Sequence, residues 1–261
     1  MRRRPAVLDI NLGAAEAYDI DTASRGDATF YQRAVKGHCK VIELGCGTGR
    51  ILLSLASICE KYYGVDSSEQ MLAVCHRKAA EMIHRGLVEL EVSTISDYSP
   101  PERVDLVISP FRVFQNLMYD NEVAGFFSCL DRCLLPNAVA IFDVFMPNFS
   151  SEEFLKLGPS ARCLDWEKEL DDGSRFSKSS ERIFVSKSPP FVISRITYER
   201  VSGSGISIDV STIDVPMRIW QPDELIEVVR SHGYEVLRKH GGFAGEAWGE
   251  GPDLVLEIHR A

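Results

Sequence analysis

The residues most suited to chemistry in this 261-residue chain form a glycine-rich stretch, Glu43-Leu-Gly-Cys-Gly-Thr-Gly-Arg50. Glycines permit a tight turn and let a ligand approach bare backbone. A helix beginning directly after such a turn presents free N–H groups to that ligand. An acid, Asp66, ends the next predicted strand, where a carboxylate can accept both hydroxyls of a ribose. The pattern therefore predicts a nucleoside site.

The last position of the loop limits which nucleoside can bind. The dinucleotide fingerprint is Gly-x-Gly-x-x-Gly/Ala, with a small residue at its end. Arg50 stands there in this sequence, and its side chain would crowd a pyrophosphate on the helix. We expect a nucleoside without that pyrophosphate. The alternative is a strand-to-helix turn that binds nothing.

Strands and helices alternate around this loop. The spacing predicts strands over 40–44, 62–65, 87–92, 104–108 and 138–145, and helices over 49–58, from Ser67 and over 121–135. Alternation of this kind is typical of a parallel α/β sheet with right-handed crossovers.

A different pattern occupies residues 148–215. Four segments rich in β-branched and aromatic residues are separated by glycine, serine and proline turns, which predicts an inserted antiparallel sheet. A helix over 222–232 and two strands over 234–239 and 253–259 then complete the main sheet.

Composition narrows the choice of partner and compartment. The net charge of −9 does not provide the broad basic surface that nucleic-acid binding needs, so we expect no nucleic-acid partner. The seven cysteines form no Cys-x-x-Cys pair and the histidines show no ligand spacing, so we expect no metal. No secretory signal or membrane-length apolar run is visible, and we expect a cytoplasmic protein with reduced thiols.

Two stretches, Val41–Leu52 and Gly64–Leu72, resemble the first two motifs of class I S-adenosylmethionine-dependent methyltransferases. The resemblance implies a doubly wound, seven-stranded Rossmann-like sheet whose last strand is antiparallel, with S-adenosyl-L-methionine as cofactor. It implies that the 45–49 loop packs on the methionine part, that Glu43 orients the loop or the amino group, and that Asp66 holds the ribose. Ser67 and Met71 would lie beside ribose and adenine.

The segment Ser93–Tyr98 occupies the place of the family's third cofactor motif. Many relatives have an acid where this chain has Thr94. Ile95 could pack on the adenine ring, and the backbone of Ile95 or Ser96 could make the polar contact. The full set of predicted cofactor residues is Tyr18, Tyr31, Glu43, Gly45, Cys46, Gly47, Gly49, Arg50, Asp66, Ser67, Met71, Thr94, Ile95, Ser96 and Ser109.

The stretch Ser109–Leu117 follows the fourth predicted strand, and ligands bind beyond the C-terminal ends of parallel strands. We therefore expect this stretch to line the site of the methyl acceptor. It resembles the Pro-Phe-Arg-x-Phe-Gln-His-Leu segment of a small-molecule methyltransferase branch. We expect Phe111 and Phe114 to form walls, and Arg112 and Gln115 to orient the acceptor. The alternative interpretation is that one of these two phenylalanines belongs to the core and that Arg112 makes a structural bond. Asn116 replaces the branch's histidine, so no catalytic base is assigned.

These inferences combine into one hypothesis of domains and function. Residues 1–39 form a helical segment over the cofactor, 40–147 with 216–261 bind it, and 148–215 form a lid or acceptor wall, or else a dimer surface. The chain methylates nitrogen or oxygen of a small molecule, as a monomer or homodimer and away from membranes. The alternatives are an RNA or protein methyltransferase, and a non-catalytic cofactor-binding subunit.

Overall fold

A computed structural model describes residues 12–22, 26–35, 39–146 and 151–261. Its centre is a seven-stranded sheet. The strands are β1 (Lys40–Leu44), β2 (Lys61–Asp66), β3 (Val88–Val92), β4 (Val104–Ser109), β5 (Leu134–Phe145), β10 (Tyr234–His240) and β11 (Asp253–Arg260). Their order across the sheet is β10-β11-β5-β4-β1-β2-β3. β11 runs antiparallel to both of its neighbours, β10 and β5, whereas the other neighbouring pairs of this sheet are parallel. The predicted fold class is confirmed, including the antiparallel last strand.

Helices cover both faces of this sheet, as the apolar strands require. They are α1 (Leu12–Thr22), α2 (Ala28–Ala34), α3 (Arg50–Leu55), α4 (Glu69–Lys78), α5 (Ala80–His84), α6 (Asp120–Cys133) and α8 (Pro222–Ser231). One apolar core surrounds Phe114, Phe126 and Phe142 under α6 and α8. A second surrounds Leu52 and Tyr62 under α2, α3 and α4. The carboxyl ends of β1, β2 and β4 therefore meet at one edge, where the glycine loop lies.

The inserted segment forms a second sheet with four antiparallel strands. They are β6 (Cys163–Glu169), β7 (Arg175–Lys187), β8 (Pro190–Val201) and β9 (Ser207–Arg218), in that order across the sheet. One face packs on α1 and α4 through Phe176, Tyr198 and Ile213. The insertion therefore lies beside the edge of the main sheet that carries the loop.

Two predicted boundaries differ from those observed. Helix α6 ends at Cys133 rather than at residue 135, because Leu134 already pairs with Val104 of β4 and its carbonyl accepts a bond from Arg103. The insertion also begins with a helix, α7 (Ser151–Lys156), anchored by buried Phe154. Within the described residues, no helix has the length and apolar character of a membrane span.

Candidate active site

The glycine loop is held by β2 on one side and by packed side chains on the other. The N–H groups of Gly45 and Cys46 both donate to the Val65 carbonyl, at 2.7 and 3.0 Å. A Cβ on Gly45 would lie 2.5 Å from Val113, and one on Gly49 would lie 2.6 Å from the Cys75 sulfur. These two glycines therefore permit close packing. Gly47 differs, since a Cβ there would meet no atom within 4 Å.

Asp66 connects the end of β2 to this loop. One carboxylate oxygen accepts the Gly47 N–H at 2.8 Å, and the other accepts the Ser68 N–H at 2.9 Å. Burial raises the pKa of Asp66, and the backbone N–H groups of Ser68, Gly47 and Ser67 oppose that rise. Ser68 in turn caps α4 by accepting the Met71 N–H. The acid thus lines the cavity in a defined orientation.

Glu43 lies beneath the loop on β1, with only 2% of its surface exposed. The Tyr62 hydroxyl donates to it at 2.7 Å. Burial raises the pKa of Glu43 to about 8, against the opposing effects of Tyr62 and Arg50. Its carboxyl lines the same cavity as Asp66.

Arg50 makes a structural ion pair at the start of α3. Both guanidinium ends contact the carboxylate of Asp27, one of them at 2.7 Å, and the Asp27 side chain is 3% exposed. The guanidinium also lies 5.5 Å from the centre of the Phe111 ring. Arg50 therefore lines the cavity, while its charge is already paired with that of Asp27, the residue before α2.

The loop over 109–117, which the sequence predicts to face the acceptor and which we call the acceptor loop, has an unusual backbone. Phe111 and Arg112 both have left-handed φ angles, +62° and +65°. Their N–H groups donate to the two carboxylate oxygens of Asp143 on β5, at 2.7 and 2.9 Å. The Phe111 ring meets Tyr18 of α1 edge-on at 6.2 Å, and Arg112 donates to Asp253 at 3.1 Å. Both side chains line the cavity.

The inserted sheet closes the opposite side of this space. Alternate residues of β8 and β9 face the cavity, and direct cross-strand pairs place Ser194 beside Val215 and Ile196 beside Ile213. At the end of this wall, Asp21 of α1 bonds Lys178 at 2.8 Å and the Tyr198 hydroxyl at 2.9 Å. The N-terminal helix is thereby tied to the insertion at the cavity.

One cavity joins these elements, with a volume of about 240 Å³. The predicted nucleoside site and the predicted acceptor site therefore face the same space. Two observations indicate that the residues lining this cavity fit S-adenosylmethionine. Gly47 leaves open the space that any side chain would fill, and Asp66 lines the cavity beside it.

The cavity brings together ten of the predicted residues. They are Tyr18, Glu43, Gly45, Cys46, Gly47, Arg50, Asp66, Met71, Phe111 and Arg112. Gly49 and Ser67 adjoin this group at the start of α3 and the end of β2.

Four predicted residues are instead used inside the protein. Phe114 is fully buried and stacks on Phe142 at 4.5 Å, so it is a core residue and not a wall. Gln115 is fully buried, with its amide bonded to the Phe145 and Arg218 backbones. Tyr31 is buried with its hydroxyl 3.3 Å from Asp143, and Ser109 donates to the Leu44 carbonyl.

The third motif also lies outside the cavity. The Thr94 hydroxyl bonds Asp97 at 2.7 Å, and Ile95 packs on the core beneath α6. The Ser96 carbonyl accepts a bond from Arg132 at 2.8 Å. That carbonyl therefore already has a protein partner.

The sequence predicted that residues 148–215 could form a lid or wall, but it did not indicate which of these residues line the cavity. The missed cavity residues there are Lys178, Ser194, Ile196, Ile213, Val215 and Met217. A signal existed, because Ile213, Val215 and Met217 recur at every second position and so share one face of a strand. The sequence did not show which part of the protein or ligand this face contacts.

Comparisons with known proteins identify related sequences and folds. Residues 41–137 match the family described as a methyltransferase domain, Methyltransf_25. The chain is 22% identical over 205 residues to "Putative methyltransferase YqeM" of Bacillus subtilis (strain 168), covering 78% of this chain and 76% of that protein.

Two solved structures show the same fold. An S-adenosylmethionine-dependent methyltransferase from Clostridium acetobutylicum ATCC 824 is 16% identical, with a TM-score of 0.73 over 95% of this chain and 97% of that one. The sugar N-methyltransferase KedS8 from Streptoalloteichus sp ATCC 53650 is 14% identical, with a TM-score of 0.71 over 97% and 94%.

Proposed function

We propose that this chain, which carries a class I S-adenosylmethionine-dependent methyltransferase domain, methylates a nitrogen or oxygen of a small-molecule acceptor. The cofactor supplies a methyl group bonded to a positively charged sulfur. The residues of the chain supply binding, alignment and exclusion of water.

The observation that carries this proposal is the shared cavity. The glycine loop, which we call the donor loop, and Asp66 line one side, while Phe111, Arg112 and the inserted sheet line the other. Methyl transfer needs the attacking atom, the methyl carbon and the sulfur in line. Holding two reactants in such an arrangement can contribute about 7–11 kcal/mol without a general base. The cavity therefore needs no histidine at Asn116.

The residues of the inserted sheet that line the cavity indicate the polarity of the acceptor. Ile196, Ile213, Val215 and Met217 present an apolar surface. Polar groups occur at its margins, at Ser194 and at the Asp21–Lys178 pair. We infer an acceptor whose body is mainly apolar and whose polar groups lie at its edges.

Two further observations favour a small molecule over RNA or a protein. The inserted sheet forms a wall on the acceptor side of the cavity, and the net charge of −9 repels nucleic acid. The solved structure of KedS8, described as a sugar N-methyltransferase, has a similar fold. In our proposal, residues 148–215 act as the acceptor wall.

Calorimetry with S-adenosylmethionine tests the donor side. Asp66→Ala should weaken binding at least about 30-fold, because it removes the ribose acceptor and the bond that orients Gly47. The matched control is Asp105→Ala, at the opposite end of the sheet, where the carboxylate accepts the Lys40 N–H. Equal affinity in the two variants would place the cofactor elsewhere.

A metabolite screen that detects S-adenosylhomocysteine release tests the acceptor side. We expect release with a compound of low molecular mass that has an apolar body and a nucleophilic nitrogen or oxygen. Release only with RNA or protein substrates, together with tight and salt-sensitive RNA binding, would contradict the proposal.

A further inference from the structure

A single buried carboxylate holds the acceptor loop. Asp143 on β5 is 1% exposed, yet it makes three hydrogen bonds. One oxygen accepts the Phe111 N–H at 2.7 Å and the Tyr31 hydroxyl at 3.3 Å, and the other accepts the Arg112 N–H at 2.9 Å. Both oxygens of Asp143 are therefore engaged in bonds, two of which go to consecutive backbone groups.

The backbone that Asp143 holds is one that seldom forms without support. Phe111 and Arg112 have φ angles of +62° and +65°, in the left-handed region that non-glycine residues rarely adopt. Such a conformation persists where the surrounding structure imposes it. A carboxylate accepting both N–H groups imposes it directly, because the two N–H groups must point to the same side.

This backbone decides where two cavity side chains point. The Phe111 ring lies against Tyr18 and beneath the Arg50 guanidinium. The Arg112 guanidinium lies 4.8 Å from the Phe145 ring centre and bonds Asp253. A change of φ at either residue would turn its side chain away from these neighbours.

We infer that Asp143 is a positioning residue for the acceptor side of the cavity. By accepting the N–H groups of Phe111 and Arg112, it fixes the direction in which their side chains meet the acceptor. Asp143 acts through these two residues and does not itself line the cavity. The inference rests on the proposed acceptor site.

Protonation of Asp143 should loosen the loop near neutral pH. Burial raises the pKa of Asp143 to about 7, with Asp253 of β11 adding to the rise and Arg112 of the loop opposing it. Among the described residues, Tyr31 of α2 is a further titratable group in contact with Asp143, and Asp27 and Glu43 lie near its hydroxyl. A proton on either oxygen turns an acceptor into a donor facing an N–H group. The bond to Phe111 or Arg112 is then lost as pH falls below about 7.

Amide NMR of the wild-type protein tests this directly, without any acceptor. Between pH 5 and 9, the N–H signals of Phe111 and Arg112 should shift together with one midpoint near 7. Asp143→Asn should abolish the titration. Absence of a shared titration in the wild type would overturn the inference, even if the variant failed to fold.

Kinetics with the acceptor found by the screen distinguish positioning from general damage. Asp143→Asn should raise the acceptor KM at least about 10-fold at pH 8, while the Kd for S-adenosylmethionine changes less than about 2-fold. The wild-type KM should rise below pH 7, and that of the variant should not. The control is Asp105→Asn, which removes a carboxylate that accepts a backbone N–H far from the cavity.

An unchanged acceptor KM in Asp143→Asn would also overturn the inference. An equal increase of the acceptor KM and of the Kd for S-adenosylmethionine would overturn it too. If no small molecule is methylated, the proposed function fails. The amide titration still decides the role of Asp143 by itself, so the two failures are distinguishable.

Discussion

The three glycines of the donor loop differ in what they permit. Side chains at Gly45 and Gly49 would collide with Val113 and Cys75, so these positions serve packing. Gly47 has a φ of +55° and open space where a Cβ would stand. At the scale of single residues, Gly47 is therefore the position where added volume should affect the ligand more than the fold.

Gly47→Val tests this difference. The variant should lose S-adenosylmethionine binding in calorimetry while remaining folded, since only backbone strain of about 1–2 kcal/mol opposes it. Gly173→Val is the matched control, because Gly173 lies in a hairpin turn with a φ of +75° and the same open space. Comparable thermal destabilisation with binding lost only at Gly47 is the expected result. Normal binding in both variants would refute the close approach of the cofactor to Gly47.

At the scale of elements, paired charges join pieces of chain that are distant in sequence. Arg50 at the start of α3 is paired with Asp27 before α2, and both side chains are mostly buried. Asp21 of α1 is paired with Lys178 of β7, also away from solvent. Both pairs attach the N-terminal helices to the walls of the cavity.

Arg50→Met should lower the free energy of unfolding by about 3 kcal/mol, because it leaves the Asp27 carboxylate buried without its partner. Arg77→Met is the control, since Arg77 and its partner Glu16 are each about half exposed and should contribute less than about 1 kcal/mol. Urea unfolding of the two variants measures the difference. Similar losses would mean that the Arg50–Asp27 pair is not what anchors α2.

The two faces of β9 give a second test at the same scale. Val215 faces the cavity, whereas Val210 on the same strand is 54% exposed on the other face. Val215→Ala removes two methyl groups from the proposed wall, which should raise the acceptor KM about 10-fold. Val210→Ala should leave it unchanged. An equal change of the acceptor KM in both variants would contradict the role of the insertion as acceptor wall.

At the scale of the whole molecule, two buried carboxyls make stability depend on pH. The fold raises the pKa of Glu43 from 4.5 to about 8 and that of Asp143 from 3.8 to about 7, chiefly through burial. The folded state thus keeps protons that the unfolded state releases. The stability that these protons contribute is present at low pH and is lost as pH rises from about 4 to about 8.

Glu43→Gln should reduce this loss, because the amide has no proton to release and can still accept from Tyr62. Urea unfolding at pH 5, 6.5 and 8 should show a smaller decrease in stability for the variant than for the wild type. Glu91→Gln, at an exposed position on β3, should follow the wild type. A Glu43→Gln curve parallel to the wild type would show that Glu43 titrates normally.

Much of the donor side could be predicted from local sequence. The loop at 43–50 and Asp66 are encoded within two adjacent strand–helix units, where spacing alone fixes which side chains meet. The insertion was also predictable as antiparallel strands, because alternation and turns are local signals. Helix α6 ended earlier than predicted, since pairing of Leu134 with Val104 is a long-range contact.

The sequence by itself determined the alternation of strands and helices, the glycine loop and its acid, because these depend on neighbours along the chain. Tertiary structure decided the acceptor side. Phe111 and Phe114 are similar in sequence, yet only the fold buries Phe114 on Phe142 and exposes Phe111 to the cavity. Only the fold brings Asp143 to the Phe111 and Arg112 amides. The reason is physical: burial and hydrogen-bond partners across separate strands are set by three-dimensional packing, which no local spacing encodes.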